Sequence, residues 1–253
     1  MPANILQSAV SWASPDARDD GLVTRMFRVE ASGRVVPAVL WTSTALPRPA
    51  PLVLMGHGGS QHKASPDMTA RAARLVLQHG FAVASIDGPV HGERRDVLAV
   101  GPERQAEFLA MWRQDTRIDA MVGDWQAAID ALLALGEFDA ARIGWHGVSM
   151  GTAYGLPLLA REPRIAAAVL GMWGTSYPNS ERLATAAPRV RCPVLFQQKW
   201  DDELFTRESQ IALFDALGSG QKWLKIYPGR HAVGAELLDD AAHFLVRELA
   251  SST

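Results

Sequence analysis

Ser149 sits between two glycines in the stretch "GWHGVSMGT" (144–152), at the spacing Gly147-x-Ser149-x-Gly151. A serine hydroxyl becomes an effective nucleophile only when a base takes its proton, a third group orients that base, and donors wait for the charge of a tetrahedral intermediate. Flanking glycines relieve crowding in the sharp strand-to-helix turn that would expose such a hydroxyl. Taken alone, the pattern also fits a turn serine that caps the next helix, so the remaining parts must be sought elsewhere in the chain.

If the order along the chain is Ser, Asp, His, the base follows the acid, near the C-terminus. "YPGRHAVGAE" places His231 there, between the last expected strand and the last helix. Of the other six histidines, His79 and His243 fall on helical stretches, His62 lies in a loop and His146 ends the strand before Ser149. His57 reads as a loop-stabilising side chain. The orienting acid is expected in "WDDELFTRES", which offers Asp201, Asp202 and Glu203. One of them would accept the Nδ1 hydrogen of His231 and fix its tautomer, and another would solvate the loop or cap the helix beginning near Thr206. Spacing does not choose among them. For the oxyanion, the Met150 amide follows the nucleophile, and "GHGGSQHK" brings the Gly59 amide from the loop after an earlier strand, where Gly58 and Gly59 let backbone approach a substrate closely.

These residues need a scaffold. Short apolar runs recur at "PLVLMGHGG", "GFAVASIDG", "ARIGWHG", "IAAAVLGMWG", "CPVLFQQK" and "KWLKIYPG", each reading as a strand buried on both faces of a parallel sheet. Between them lie segments with helical spacing of apolar residues at 68–79, 119–135, 208–217 and 235–250, and "MGTAYGLPLLA" after Ser149 is compatible with a helix. The alternation predicts an α/β fold, a mostly parallel doubly wound sheet with helices on both faces. "TRMFRVEA" and "VVPAVLWTS" around Ser32-Gly33 predict a β-hairpin that adds an antiparallel edge. No repeat or linker divides the chain, which reads as one domain over 1–253. The stretch from His91 to about Ile118 is long for a strand-to-helix loop and predicts a small cap or lid at about 91–118.

Composition narrows the partners. The 253 residues are 48% hydrophobic and 21% charged, and 25 basic against 27 acidic residues leave a formal charge of −2. That balance provides no field for a polyanion, so nucleic acid is excluded as an expected partner. Cys192 is the single cysteine, which excludes an intrachain disulfide and a cysteine-clustered zinc site. The N-terminal stretch lacks the basic and apolar regions of a secretory signal, and no apolar run is long enough for a membrane span. A cytoplasmic location and no membrane partner are therefore expected, and a homo-oligomer is left open.

In this order and at these intervals, "MGHGG", "SIDGPVHGER", "GWHGVSMG", "WDDELF" and "PGRHA" resemble the α/β-hydrolase superfamily, and more closely its dienelactone-hydrolase-like and small bacterial esterase branches, from about Val35 to the C-terminus. The resemblance implies the α/β-hydrolase fold, favours Asp202 over Asp201 as the acid, and makes Asp87 and His91 structural. Two departures stand out. Dienelactone hydrolases proper usually carry cysteine where this chain has Ser149, so diene-lactone activity is not carried over. Thr152 stands where many relatives have a second glycine, a difference read as without consequence for the chemistry. A serine nucleophile also argues against the haloalkane dehalogenases, which use aspartate there.

The expected activity is hydrolysis of small or short-acyl carboxylic esters by Ser149, Asp202 and His231, with no metal and no organic cofactor. Met111, Trp112, Met172, Trp173, Trp200 and Phe205 fall in segments where this fold holds its substrate and are the candidates to line an apolar pocket. Arg113, or Arg94 and Arg95, are candidates to steer a carboxylate-bearing substrate. The alternatives on the same residues are a carbon–carbon bond hydrolase, an amidase or an acyltransferase. A non-catalytic binding protein is the second alternative, and an oligopeptidase-like domain, which normally carries a further N-terminal domain, is a third.

Overall fold

The structure is a computed structural model that describes residues 10–13, 16–95 and 100–250. Most of the N-terminal stretch read for a leader, and 96–99 of the expected cap, lie outside the described residues. Strands and helices alternate along the chain: β1 (Ser11–Trp12), β2 (Ala17–Asp19), β3 (Leu22–Ala31), β4 (Arg34–Thr42), β5 (Ala50–Met55), α1 (Pro66–His79), β6 (Ala82–Ile86), α2 (Pro102–Gln114), α3 (Ile118–Leu133), β7 (Phe138–His146), α4 (Met150–Leu159), β8 (Ile165–Gly171), α5 (Glu181–Ala186), β9 (Val194–Lys199), α6 (Arg207–Asp215), β10 (Lys222–Tyr227) and α7 (Ala235–Glu248).

The strands form one mixed sheet in the order β1-β3-β4-β6-β5-β7-β8-β9-β10, with β2 also paired to β3. The hairpin around Ser32-Gly33 is present as antiparallel β3 and β4, and β4 joins β6 antiparallel. From β6 onward every pairing is parallel. This is the doubly wound architecture expected from the apolar runs. Its physical basis is visible in β5, all six residues of which are buried. Leu52 and Leu54 enter the core on one face, with Ala128, Ile129 and Leu132 of α3. Val53 and Met55 enter the core on the other, with Leu75 and Val76 of α1 and Leu245 of α7. Side chains alternate across a strand, so a strand covered by helices on both faces reads as a continuous apolar run.

One expectation changes. "KWLKIYPG" was expected to be buried on both faces, but β10 pairs only with β9 and is an edge strand, which leaves Trp223 and Ile226 exposed. The lysines at 222 and 225 in the same run are the edge-strand signal that its aromatic residues outweighed. The expected cap contains a short 3₁₀ turn at Gly92–Arg94 followed by α2, whose Phe108 and Trp112 are fully buried against the core. No helix among the described residues is long and apolar enough to cross a membrane.

Because β5 lies between β6 and β7, the connections leave β5 and β7 toward different faces, and the loops at their carboxyl ends diverge. A crevice opens at such a switch point in an open α/β sheet. The loop after β5 carries Gly58 and Gly59, and the turn after β7 carries Ser149.

Candidate active site

Strand β7 runs directly into α4 through Gly147, Val148 and Ser149, with no loop between. The turn forces Ser149 to φ 57° and ψ −123°, a region that a residue with a Cβ occupies at a cost of about 1–3 kcal/mol. The glycine spacing follows from what surrounds the turn. A Cβ on Gly151 would lie 2.8 Å from the carbonyl oxygen of Gly56, and one on Gly147 would lie 3.0 Å from the Gly151 Cα. The first turn of α4 therefore packs directly on the end of β5, which sets Ser149 facing the glycine loop.

Ser149 Oγ lies 2.9 Å from His231 Nε2, and His231 Nδ1 lies 2.9 Å from Asp202 Oδ2. A carboxylate can only accept, so Nδ1 carries the hydrogen and Nε2 accepts from the serine hydroxyl. The Asp202 side chain is fully buried. Its Oδ1 accepts from the Leu204 and Phe205 amides at 2.9 and 3.0 Å, and Oδ2 also accepts from Gln210 Nε2 at 3.3 Å. The three neighbouring acids are thus separated by position. Asp202 meets the imidazole ring, Glu203 Oε2 accepts from the His231 main-chain amide at 2.8 Å, and Asp201 is exposed, its own amide donating to the Gly229 carbonyl.

Of the two donors expected for the oxyanion, Gly59 lies on the loop after β5 and lines the Ser149 cleft, and Met150 follows Ser149 as the first residue of α4. Gly59 and Ser149 line one cleft of about 300 Å³. Met150 opens α4 with its side chain turned inward and buried, and the first amides of a helix have no partner within the helix. Neither the Gly59 nor the Met150 amide has an acceptor among the described residues. Two buried histidines hold the glycine loop. His57 Nδ1 donates to the Gly58 carbonyl and Nε2 accepts from the Gly88 amide; burial, then the nearby His91, hold its pKa well below the ordinary range. His91 places its ring nitrogens 2.6 Å from the Pro89 carbonyl and 2.9 Å from the Gly59 carbonyl. Asp87, also fully buried, accepts from the Lys63 ammonium and the Lys63 and Glu93 amides, tying this loop to the one after β6.

The cleft is lined differently from the expectation. Of the six apolar candidates, Met172 lines it, together with Val148, Val233 and a polar set that includes Ser60, Gln61, Asp67, Arg71 and Gln105. Trp112, Trp173 and Phe205 are instead at most 1% exposed and pack with Phe108, Tyr154 and Tyr177 in one aromatic cluster. Their polar edges are used internally, Trp112 Nε1 donating to the Pro178 carbonyl and Trp173 Nε1 to Ser180 Oγ. Phe205 backs the His231 ring at a centroid distance of 5.6 Å. Met111 is half-buried against the same core, and Trp200 is 51% exposed beneath the Arg207 guanidinium. Large aromatic rings gain more by burial than by lining a polar cleft, and sequence position does not reveal which they do.

Thr152 has a structural consequence that sequence reasoning missed. Its Oγ1 lies 2.6 Å from the Gly171 carbonyl and 3.1 Å from the Gly147 carbonyl, and accepts from the Gly171 amide at 2.7 Å. The Ser149 amide donates to the same Gly171 carbonyl at 2.9 Å. The threonine thereby fastens the turn to the end of β8. Among the described residues, no group of three or more His, Cys, Asp or Glu side chains is arranged to hold a metal ion.

Residues 36–239 match the family model described as the dienelactone hydrolase family. A cold-adapted esterase from an Arctic intertidal metagenomic library, in a complex with PEG, superposes with a TM-score of 0.83 at 38% identity, covering 94% of this chain and 99% of that one. Acetyl xylan esterase 1 from Thermoanaerobacterium sp. shares the fold at 16% identity and a TM-score of 0.72, covering 97% and 89%. So does a dienelactone hydrolase-like promiscuous phosphotriesterase from metagenomic libraries, at 19% identity and a TM-score of 0.71, covering 90% and 98%. No curated protein matches the chain in sequence.

Proposed function

Since the chain belongs to the dienelactone hydrolase family, we propose that it is a carboxylic-ester hydrolase that works through an acyl-enzyme on Ser149. The observation that carries the reading is the continuous run of hydrogen bonds from Ser149 Oγ through His231 to the buried Asp202 carboxylate. Ser149 attacks the ester carbonyl while His231 Nε2 takes its proton, and Asp202 holds the imidazole and stabilises the imidazolium that forms. The Gly59 and Met150 amides receive the oxyanion. Collapse of the tetrahedral intermediate expels the alkoxide, which His231 protonates, and water then repeats the sequence on the acyl-enzyme. Every step uses side chains and amides of this chain.

The similarity to the cold-adapted esterase at 38% identity supports an ester over an amide or a carbon–carbon bond. A cleft of about 300 Å³ is at the small end of ligand sites and suits compact esters. Hydrolysis of a p-nitrophenyl series from acetate to decanoate, by the wild type and Ser149→Ala in parallel, tests this. The expected result is activity that peaks at short acyl chains and is lost in the variant, with fluorophosphonate labelling that also requires Ser149. Ester hydrolysis surviving in Ser149→Ala would overturn the assignment.

A further inference from the structure

Four donors meet the Asp202 carboxylate: the Leu204 and Phe205 amides reach Oδ1, while Oδ2 is divided between His231 Nδ1 at 2.9 Å and Gln210 Nε2 at 3.3 Å. A carboxylate offers about four lone-pair sites, so the set is complete. The mechanism uses the histidine and leaves the glutamine without a role. Gln210 lies in α6 and is fully buried. Its Nε2 also donates to the Phe205 carbonyl at 3.1 Å, so one side-chain amide joins the acid to the residue whose ring backs His231.

The backbone at Gln210 is fixed from two sides. Its own amide donates to the Thr206 carbonyl at 3.1 Å, and the loop after β8 packs so closely that a Cβ on Gly174 would lie 2.9 Å from the Gln210 nitrogen. The direction of the side-chain amide follows from its partners. Reversing it would set Oε1 against a carboxylate and a carbonyl, neither of which can donate. In the orientation kept, Oε1 is buried and has no donor among the described residues. A buried acceptor left unpaired is destabilising, so packing alone does not account for a glutamine here. What it provides is a pair of N–H bonds, one of them to the acid.

The charged groups around the His231 ring are Asp202 at Nδ1, Glu203 on its main-chain amide, Arg230 paired to Glu203, and Arg71 and Asp67, which line the same cleft. Of these, Gln210 bonds only Asp202. Two N–H groups on one oxygen compete for its charge, and what Gln210 withdraws is not available to an imidazolium at His231.

Building on the ester-hydrolase reading, we propose that Gln210 is a positioning residue for the reaction at Ser149. It holds Oδ2 of Asp202 against the His231 ring and takes a share of the carboxylate's charge, so that the imidazolium is stabilised yet still gives its proton to the leaving group. The bond to Gln210 is the longer of the two on Oδ2, and its effect is accordingly a tuning of the triad and not a requirement for it.

The test has one arm on the wild type and one on variants. By NMR of the wild type, the Gln210 side-chain amide signals are expected to move with pH in step with the His231 ring, and to lose that response in Asp202→Asn. In Gln210→Met the titration of the His231 ring and the acid limb of kcat/KM for a neutral ester both move to higher pH, by about half a pH unit. In the same variant kcat falls about 3- to 10-fold at constant KM. Leu213→Ala, a core change on the same helix, is expected to lower stability and leave both titrations in place. Circular dichroism establishes that the variants are folded, and the wild-type arm stands without them. A wild-type Gln210 signal indifferent to His231, or a folded Gln210→Met with both titrations unmoved, would overturn the proposal and leave the triad reading standing. A ring titration that moves in Gln210→Met, with ester hydrolysis that survives in Ser149→Ala, would overturn the esterase reading and leave the coupling in place.

Discussion

Glu203 accepts the main-chain amide of His231 at 2.8 Å, while Asp202, the preceding residue, accepts from the ring of the same histidine. Two adjacent carboxylates therefore fix one imidazole, one through its backbone and one through its side chain. Under the proposed mechanism their removal has unequal effects. Asp202→Asn loses the acceptor that sets the tautomer, and kcat falls about 10³- to 10⁴-fold. Glu203→Ala loosens only the backbone, and kcat falls about 2- to 10-fold with KM unchanged. Glu203→Gln, which keeps an acceptor oxygen, restores most of that loss. Asp201→Asn leaves turnover near the wild type. Steady-state kinetics on one neutral ester check all four, and a larger loss at Asp201 than at Asp202 would reverse the assignment.

Thr152 joins the Ser149 turn to β8 through both polar groups of Gly171. Thr152→Val keeps the shape but leaves the buried Gly171 amide without its acceptor, at a cost of about 1–3 kcal/mol in unfolding free energy. Thr152→Ser retains the bonds and recovers most of it. Urea denaturation measures the difference, and equal stability of the valine and serine variants would show that the hydroxyl does not hold the turn.

The aromatic cluster under the cleft predicts a core phenotype. Trp112→Ala is expected to lose about 3–5 kcal/mol of stability, while Trp112→Phe, which retains the ring contacts but not the bond to Pro178, loses less. Neither is expected to shift KM for a neutral ester as its main effect. A large KM change in a fully stable Trp112→Phe would return this side chain to the cleft.

Buried histidines set the acid side of the stability curve. His146 has its folded pKa pulled by burial, and then by Arg71, from the ordinary 6.5 to about 3. Between these values the unfolded chain binds the proton and the folded one does not. Stability from this group is therefore complete above pH 6.5 and declines as pH falls, at up to ~1.4 kcal/mol per pH unit. His57 contributes in the same direction. Thermal midpoints from pH 8 to 4 should decline across this window, and less steeply in His146→Leu; an unchanged slope in that variant would count against the assignment.

What the chain's own order of residues determines is the scaffold and the positions of its chemistry. Apolar runs buried on both faces declare a covered parallel sheet because backbone pairing and side-chain alternation are local. Gly147-x-Ser149-x-Gly151 declares a tight turn because only glycine lets α4 approach β5 so closely. His231 and the acids after β9 are legible because loops at the carboxyl ends of parallel strands share one edge of the sheet. The rest depended on distances between segments remote in sequence. Only the folded chain separated Asp201, Asp202 and Glu203, since the three differ by direction and not by type. It also moved Trp112, Trp173 and Phe205 from the expected pocket wall into the core, exposed Trp223 on an edge strand, and gave Thr152 two partners on β8.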